Sequence, residues 1–182
     1  MKCPIQISAG CAIYPKDGLT YNELNKYADY SLQYAKDNGK NKLTFFSNYI
    51  LEHKMRSLEI LKYIRESVSD DYRGFELNYQ PQVEVSSKQI KGVEALLRWQ
   101  CQELGKVSPV EFIPILEESG LIIPVGLWVI KKAIQACSKW VVYDPEFSVS
   151  INVSALQMLN SDFVEDVKKV LKKEKLAPKN IV

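Results

Sequence analysis

Hydrophobic and polar positions along this chain switch between two periods, and the switches mark out its elements. Over residues 75–85 they alternate strictly: Phe75, Leu77, Tyr79, Pro81, Val83 and Val85 oppose Glu76, Asn78, Gln80, Gln82 and Glu84, the pattern of a half-buried strand. Ser86-Ser87-Lys88 then forms a turn into a second strand, in which Val93, Ala95, Leu97 and Trp99 share one face and Glu94, Leu96 and Arg98 the other. Upstream, residues 5–13 read as a strand, and Tyr14-Pro15-Lys16-Asp17-Gly18 reads as a turn. A helix follows, opened by a Thr20/Glu23 capping box, carried by Leu24, Tyr27, Ala28, Ser31 and Ala35, and stopped at Gly39. Residues 43–46 form a short strand, and residues 48–70 an amphipathic helix with Ile50, Leu51, Met55, Leu58, Leu61, Ile64 and Val68 along one side. Downstream, Ser108, Pro109 and Glu111 predict a capped helix start. A second helix follows Pro124 and runs to about Val142, residues 147–154 read as a strand, and residues 162–173 as a helix. A hairpin followed by alternating strands and helices predicts an α/β barrel.

The strand patterns also sort the candidate chemistry. In residues 148–154, Val149, Ile151 and Val153 face away from Ser148, Ser150, Asn152 and Ser154. Asn152 lies near the C-terminal end, where barrel enzymes carry their reactive groups, and Glu94 occupies a comparable place on the preceding strand. A carboxylate and an amide oxygen together suit a hard cation such as Mg²⁺ or Mn²⁺. Arg98, one pleat past Leu96, offers a planar fork of donors for a phosphate. On the residues alone, Glu94 and Arg98 describe a solvent-exposed charge pair on a half-buried strand, and Asn152 a polar strand end. Glu117 and Glu118 read as solvating or supporting the loop after the Glu94 strand rather than reacting.

Composition narrows the classes. The 182 residues are 46% hydrophobic with a net charge of +2, ordinary for a globular protein and without a broad field for nucleic acid or an anionic membrane. The four cysteines form no C-x-x-C pair, which argues against a zinc knuckle and fits a reduced, cytosolic compartment. The single histidine, His53, on the polar side of its helix, excludes the usual triads and His-based zinc sites. The apolar stretch 120–130 is interrupted by Pro124 and Gly126 and is shorter than the ~20 residues that span a bilayer. No signal peptide is recognisable. The lysines between 168 and 175 read as a hydrated helix face.

Two resemblances sharpen this. Ser8 and Gly10, Tyr14-Pro15, Asp17-Gly18, Ala28-Asp29, Ala35-Lys36 and Gly39-Lys40-Asn41 resemble the C-terminal end of a GGDEF domain, the diguanylate cyclase fold. That implies a phosphate-contacting origin for Lys36 and Lys40, which as an isolated piece read as solvated lysines at a helix end. The string Gly92-Val93-Glu94-Ala95-Leu96-Leu97-Arg98-Trp99 resembles the signature of the EAL family of cyclic di-GMP phosphodiesterases. Tyr79-Gln80-Pro81, Phe112-Ile113-Pro114, residues 117–122, and Asn152-Val153-Ser154 with Gln157 match further landmarks. The resemblance implies a partial, modified (β/α)8 TIM-like barrel that hydrolyses cyclic di-GMP to linear pGpG with Mg²⁺ or Mn²⁺. It assigns Glu94 and Asn152 as metal ligands and catalytic groups, Gln80, Leu96 and Arg98 as substrate contacts, and a homodimer through the EAL domain as a further expectation. The organisation expected is 1–47 as a GGDEF remnant, 48–70 as a linker helix and 71–182 as the N-terminal half of an EAL domain.

EAL enzymes carry further acids and a lysine downstream, and a closed barrel takes ~250 residues. The isolated chain is therefore expected to be an inactive piece of a longer protein. The alternative is a catalytically dead EAL module that binds cyclic di-GMP or a protein partner, and a third reading is a truncated product that serves only as an interaction piece.

Overall fold

A computed structural model describes residues 5–182, in two compact units, Met1–Glu59 and Ile60–Val182. In the first, β1 (Ala9–Cys11) pairs parallel with β2 (Leu43–Phe45) across the intervening helix α1 (Tyr21–Asp37). The Thr20/Glu23 capping box forms as the sequence predicts: Glu23 N donates to Thr20 Oγ1 at 3.3 Å and Thr20 N to Glu23 Oε2 at 3.1 Å. Glu23 Oε2 also accepts from Leu19 N at 2.9 Å, and the bonds to this carboxylate, first that from Leu19 and then those from Thr20, hold the Glu23 pKa below its usual value. Gly39 adopts a φ of +100° beyond the helix end, the left-handed stop that glycine takes without strain. Strand β1 is shorter than the expected 5–13: Ile5 and Ile7, 81% and 68% exposed, bury little apolar surface and lie outside it. His53, on the helix α2 (Asn48–Ser69), sets its ring edge-on to Tyr34 at 5.7 Å.

In the second unit the long strand β4 (Ile90–Cys101) organises everything else. Strand β3 (Phe75–Val83) lies antiparallel along one edge, pairing Phe75 with Trp99 and Gln80 with Glu94. The opposite edge is shared. A short strand absent from the sequence reading, β5 (Gly105–Val107), covers Trp99 to Cys101, while β6 (Ser148–Ile151) runs parallel along Gly92 to Ala95. Leu96, Leu97 and Arg98 therefore have no strand beside them on that edge. A single parallel bridge, Val149 to Ile181, continues the sheet beyond β6.

Three expectations are corrected. Helix α3 (Pro109–Glu118) starts where predicted, but the Ser108 side chain makes no capping bond; proline at the first position already supplies helical φ and lacks the N–H a cap would satisfy. Helix α4 (Ile122–Trp140) begins before Pro124, since a first-turn proline gives up no intrahelical bond. The strand expected over 147–154 stops at Ile151, and Ser154 instead caps a four-residue helix, α5 (Ala155–Met158), ahead of α6 (Phe163–Glu174).

The apolar face of the sheet packs under these helices. Trp99, Phe75, Phe112, Leu116 and Val125 form one buried cluster with Ile60 and Ile64, and Val93, Ala95, Val149, Ile134 and Cys137 form a second. The faces read from period-two alternation are observed over Val93 to Trp99 and Phe75 to Tyr79, but β3 ends at Val83 after a register shift at Gln82/Val83, and Val83 and Val85 are exposed rather than on the buried face. Where β6 meets β4 the approach is close: a Cβ on Gly92 would lie 2.6 Å from the Ser148 carbonyl oxygen. Gly92→Ala must push the two strands apart, and a loss of about 1–3 kcal/mol is expected in urea unfolding.

Candidate functional site

Across the polar face of the sheet, register brings side chains from three strands into rows. Gln82, Gly92 and Ser148 make one row and Gln80, Glu94 and Ser150 the next, while Asn78 and Glu76 stand opposite Leu96 and Arg98. Gln82 Nε2 donates to Ser150 Oγ at 3.1 Å, tying the outer strands together over the glycine. Asn152, just past β6, turns back so that its Nδ2 donates to Glu94 Oε1 at 2.7 Å. The carboxylate and the amide, 58 positions apart in the chain, thus meet at one point, where the second oxygen of Glu94 and Oδ1 of Asn152 offer further lone pairs.

Of the other candidates, Gln80 is the exposed direct partner of Glu94 on β3. Leu96 and Arg98 line a cavity of about 260 Å³ with Asn152, Ser154 and Glu117, opening where β4 lacks a neighbour. The Arg98 guanidinium folds onto its own strand, Nη1 donating to the Leu97 carbonyl at 2.9 Å, so it must release that bond to grip a phosphate. Lys36 closes the last turn of α1, and Lys40 follows Gly39 with a φ of 55°. The lysine face of α6 carries its own counter-charges, Lys168 meeting Glu165 and Lys169 meeting Asp166.

Beside the site lies a set of contacts that the strand reading of 147–154 misses. Ser154 Oγ donates to Glu117 Oε1 at 2.6 Å, and Ser154 N donates to Gln157 Oε1 at 3.1 Å. The S-x-x-Q spacing of Ser154 and Gln157 is the signal that marks this helix start.

Behind the sheet, Tyr79 packs edge-on to Trp140 at 4.9 Å; burial first and Cys137 second raise its phenol pKa. Burial also raises the Cys137 thiol, outweighing the opposing backbone hydrogen bond at Val149. A raised pKa means less thiolate at any given pH. Cys137 is therefore expected to resist iodoacetamide at pH 8 in the folded chain and to react fully in denaturant, read by peptide mass.

As a chemical set, one carboxylate and one amide fit Mg²⁺ or Mn²⁺ as a partial shell, because Mg²⁺ keeps several waters and takes only one or two protein carboxylates. Among the described residues no group of three or more His, Cys, Asp or Glu side chains is placed to hold a metal ion. No helix among them is long and apolar enough to cross a membrane.

The parallel pairing of β4 with β6 and the helices packed against the sheet make an α/β fold that is TIM-barrel-like. The chain belongs to the EAL domain family, whose model matches residues 63–182. It is 34% identical to the bifunctional diguanylate cyclase/cyclic di-GMP phosphodiesterase MucR of Pseudomonas aeruginosa over 98% of this chain and 26% of that protein. It is 40% identical to the biofilm architecture maintenance protein MbaA of Vibrio cholerae over 85% of this chain and 20% of that one. A solved structure of the PaMucR phosphodiesterase with c-di-GMP superposes with a TM-score of 0.63 at 31% identity, over 68% of this chain and 49% of the other. The chain thus spans about a quarter or less of the curated relatives it matches.

Proposed function

We propose that this chain contributes to a cyclic di-GMP phosphodiesterase, with Glu94 and Asn152 as part of its divalent-metal site. The observation that carries the reading is the 2.7 Å contact between Asn152 Nδ2 and Glu94 Oε1, which brings two oxygen-bearing side chains from distant segments together beside the end of β6. Relatives named as cyclic di-GMP phosphodiesterases support it. A bound Mg²⁺ or Mn²⁺ lowers the pKa of water and spreads the charge that builds on a phosphoryl group. The chain's own residues position the substrate. Gln80 presents an amide beside Glu94, Leu96 gives an apolar wall, and Arg98 swings from the Leu97 carbonyl to bridge phosphate oxygens. The 260 Å³ cavity falls below the ~300–1,000 Å³ that encloses a drug-sized ligand, so it takes part of a cyclic dinucleotide while the rest lies over the sheet.

The organisation proposed is a GGDEF C-terminal portion over 1–47, a linker helix over 48–70 and the N-terminal part of an EAL domain over 71–182, in a cytoplasmic, dimer-forming protein. The match to MucR across 98% of the chain supports the first of these, because it extends beyond the EAL residues. A second reading is a module that binds cyclic di-GMP without cleaving it. Chromatography of cyclic di-GMP incubated with the whole gene product and Mg²⁺ or Mn²⁺ tests both. Accumulating linear dinucleotide supports hydrolysis, whereas retention of intact ligand on the protein supports the receptor.

A further inference from the structure

We propose that Glu117 and Gln157 are positioning residues that act through Ser154 to hold the Asn152 amide against Glu94. The inference rests on the reading of Glu94 and Asn152 as one functional pair. Ile151 is the last residue of β6, and residues 152–154 have no regular structure of their own. On the strand side, Ser150 is fixed by its register with Glu94 and its bond with Gln82. On the far side the chain needs a second anchor, and Ser154, two residues on and therefore within ~7 Å of chain, supplies it.

That anchor is fully engaged. The Ser154 hydroxyl donates to Glu117 Oε1 at 2.6 Å and accepts from Leu156 N at 3.4 Å, while its N–H donates to Gln157 Oε1 at 3.1 Å. Both partners stand on rigid ground. Glu117 rides on α3, whose Phe112 and Leu116 are fully buried, and Gln157 is 3% exposed, seated on Gly126 of α4 so closely that a Cβ there would meet its Nε2 at 2.0 Å. Two helices thus fix one serine, and the serine fixes the turn that aims Asn152. Groups that orient a ligand are typically worth 10–100-fold in metal affinity.

The test follows the Asn152 side-chain amide by ¹⁵N-correlated NMR, its signals identified by their loss in Asn152→Asp, alongside Mn²⁺ titration. In the wild-type chain one Nδ2 proton is expected downfield. In Glu117→Ala, and in Ser154→Ala, which leaves α3 untouched should the first variant misfold, it moves to the random-coil position and Mn²⁺ binds about 10-fold more weakly. Glu117→Gln, which keeps the acceptor oxygen, restores both, and the double alanine variant is no worse than either single one. Alanine variants whose Asn152 signals superimpose on the wild type overturn the proposal. A shifted amide with unchanged Mn²⁺ affinity upholds the clamp and removes the metal reading instead.

Discussion

Trp99→Ala is expected to cost the Ile60–Val182 unit ~3–5 kcal/mol, the range for truncating a fully buried aromatic. Trp99 is 1% exposed, lies 5.9 Å from the Phe75 ring and 6.0 Å from that of Phe112, and donates its indole N–H to Ser67 Oγ at 3.0 Å. Alanine leaves a cavity and also strands the buried Ser67 hydroxyl. Against a domain stability of ~5–15 kcal/mol, that loss brings the unit close to unfolding. Trp99→Phe keeps most of the packing and loses the hydrogen bond, so a smaller drop of about 1–3 kcal/mol is expected. Urea titration followed by circular dichroism measures both, and equal losses in the two variants would show that the hydrogen bond outweighs the packing.

The second large effect is chemical. Glu94→Gln keeps the shape of the side chain and removes its charge, and under the proposed phosphodiesterase function hydrolysis of cyclic di-GMP by the whole gene product is expected to fall at least ~100-fold. A metal contributes several kcal/mol of charge stabilisation, and each ~1.4 kcal/mol is a factor of ten in rate. Glu103→Gln, in the exposed turn between β4 and β5, should leave turnover unchanged. Comparable rates in wild type and Glu94→Gln would remove Glu94 from the machinery.

What the sequence makes legible follows the range of the interactions involved. Period-two alternation reports on neighbours within one strand, so the division of β4 into an apolar face with Val93, Ala95 and Trp99 and a polar face with Glu94 and Arg98 can be read directly. The Thr20/Glu23 capping box spans three positions and is legible for the same reason. The meeting of Glu94 with Asn152 depends on which strands pair and in what register, and no local pattern encodes that. The end of β6 is equally hidden, because Val153 continues the alternation although the chain has already turned towards α5. A four-residue helix has too few turns to show a 3.6 period, and β5 is only three residues long. The contact between Glu117 and Ser154 joins two elements placed by separate parts of the core, so it becomes visible only once the fold is known.

The central claim is that Glu94 and Asn152 act together on a divalent cation, and Mn²⁺ binding followed by electron paramagnetic resonance tests it most directly. Wild-type chain, Glu94→Ala, Asn152→Ala and the double variant would be titrated under identical conditions. The account predicts binding by wild type, weakened binding in each single variant, and a double variant whose loss is smaller than the sum of the two, as expected for residues that share one interaction. Equal Mn²⁺ affinity in wild type and Glu94→Ala would contradict it.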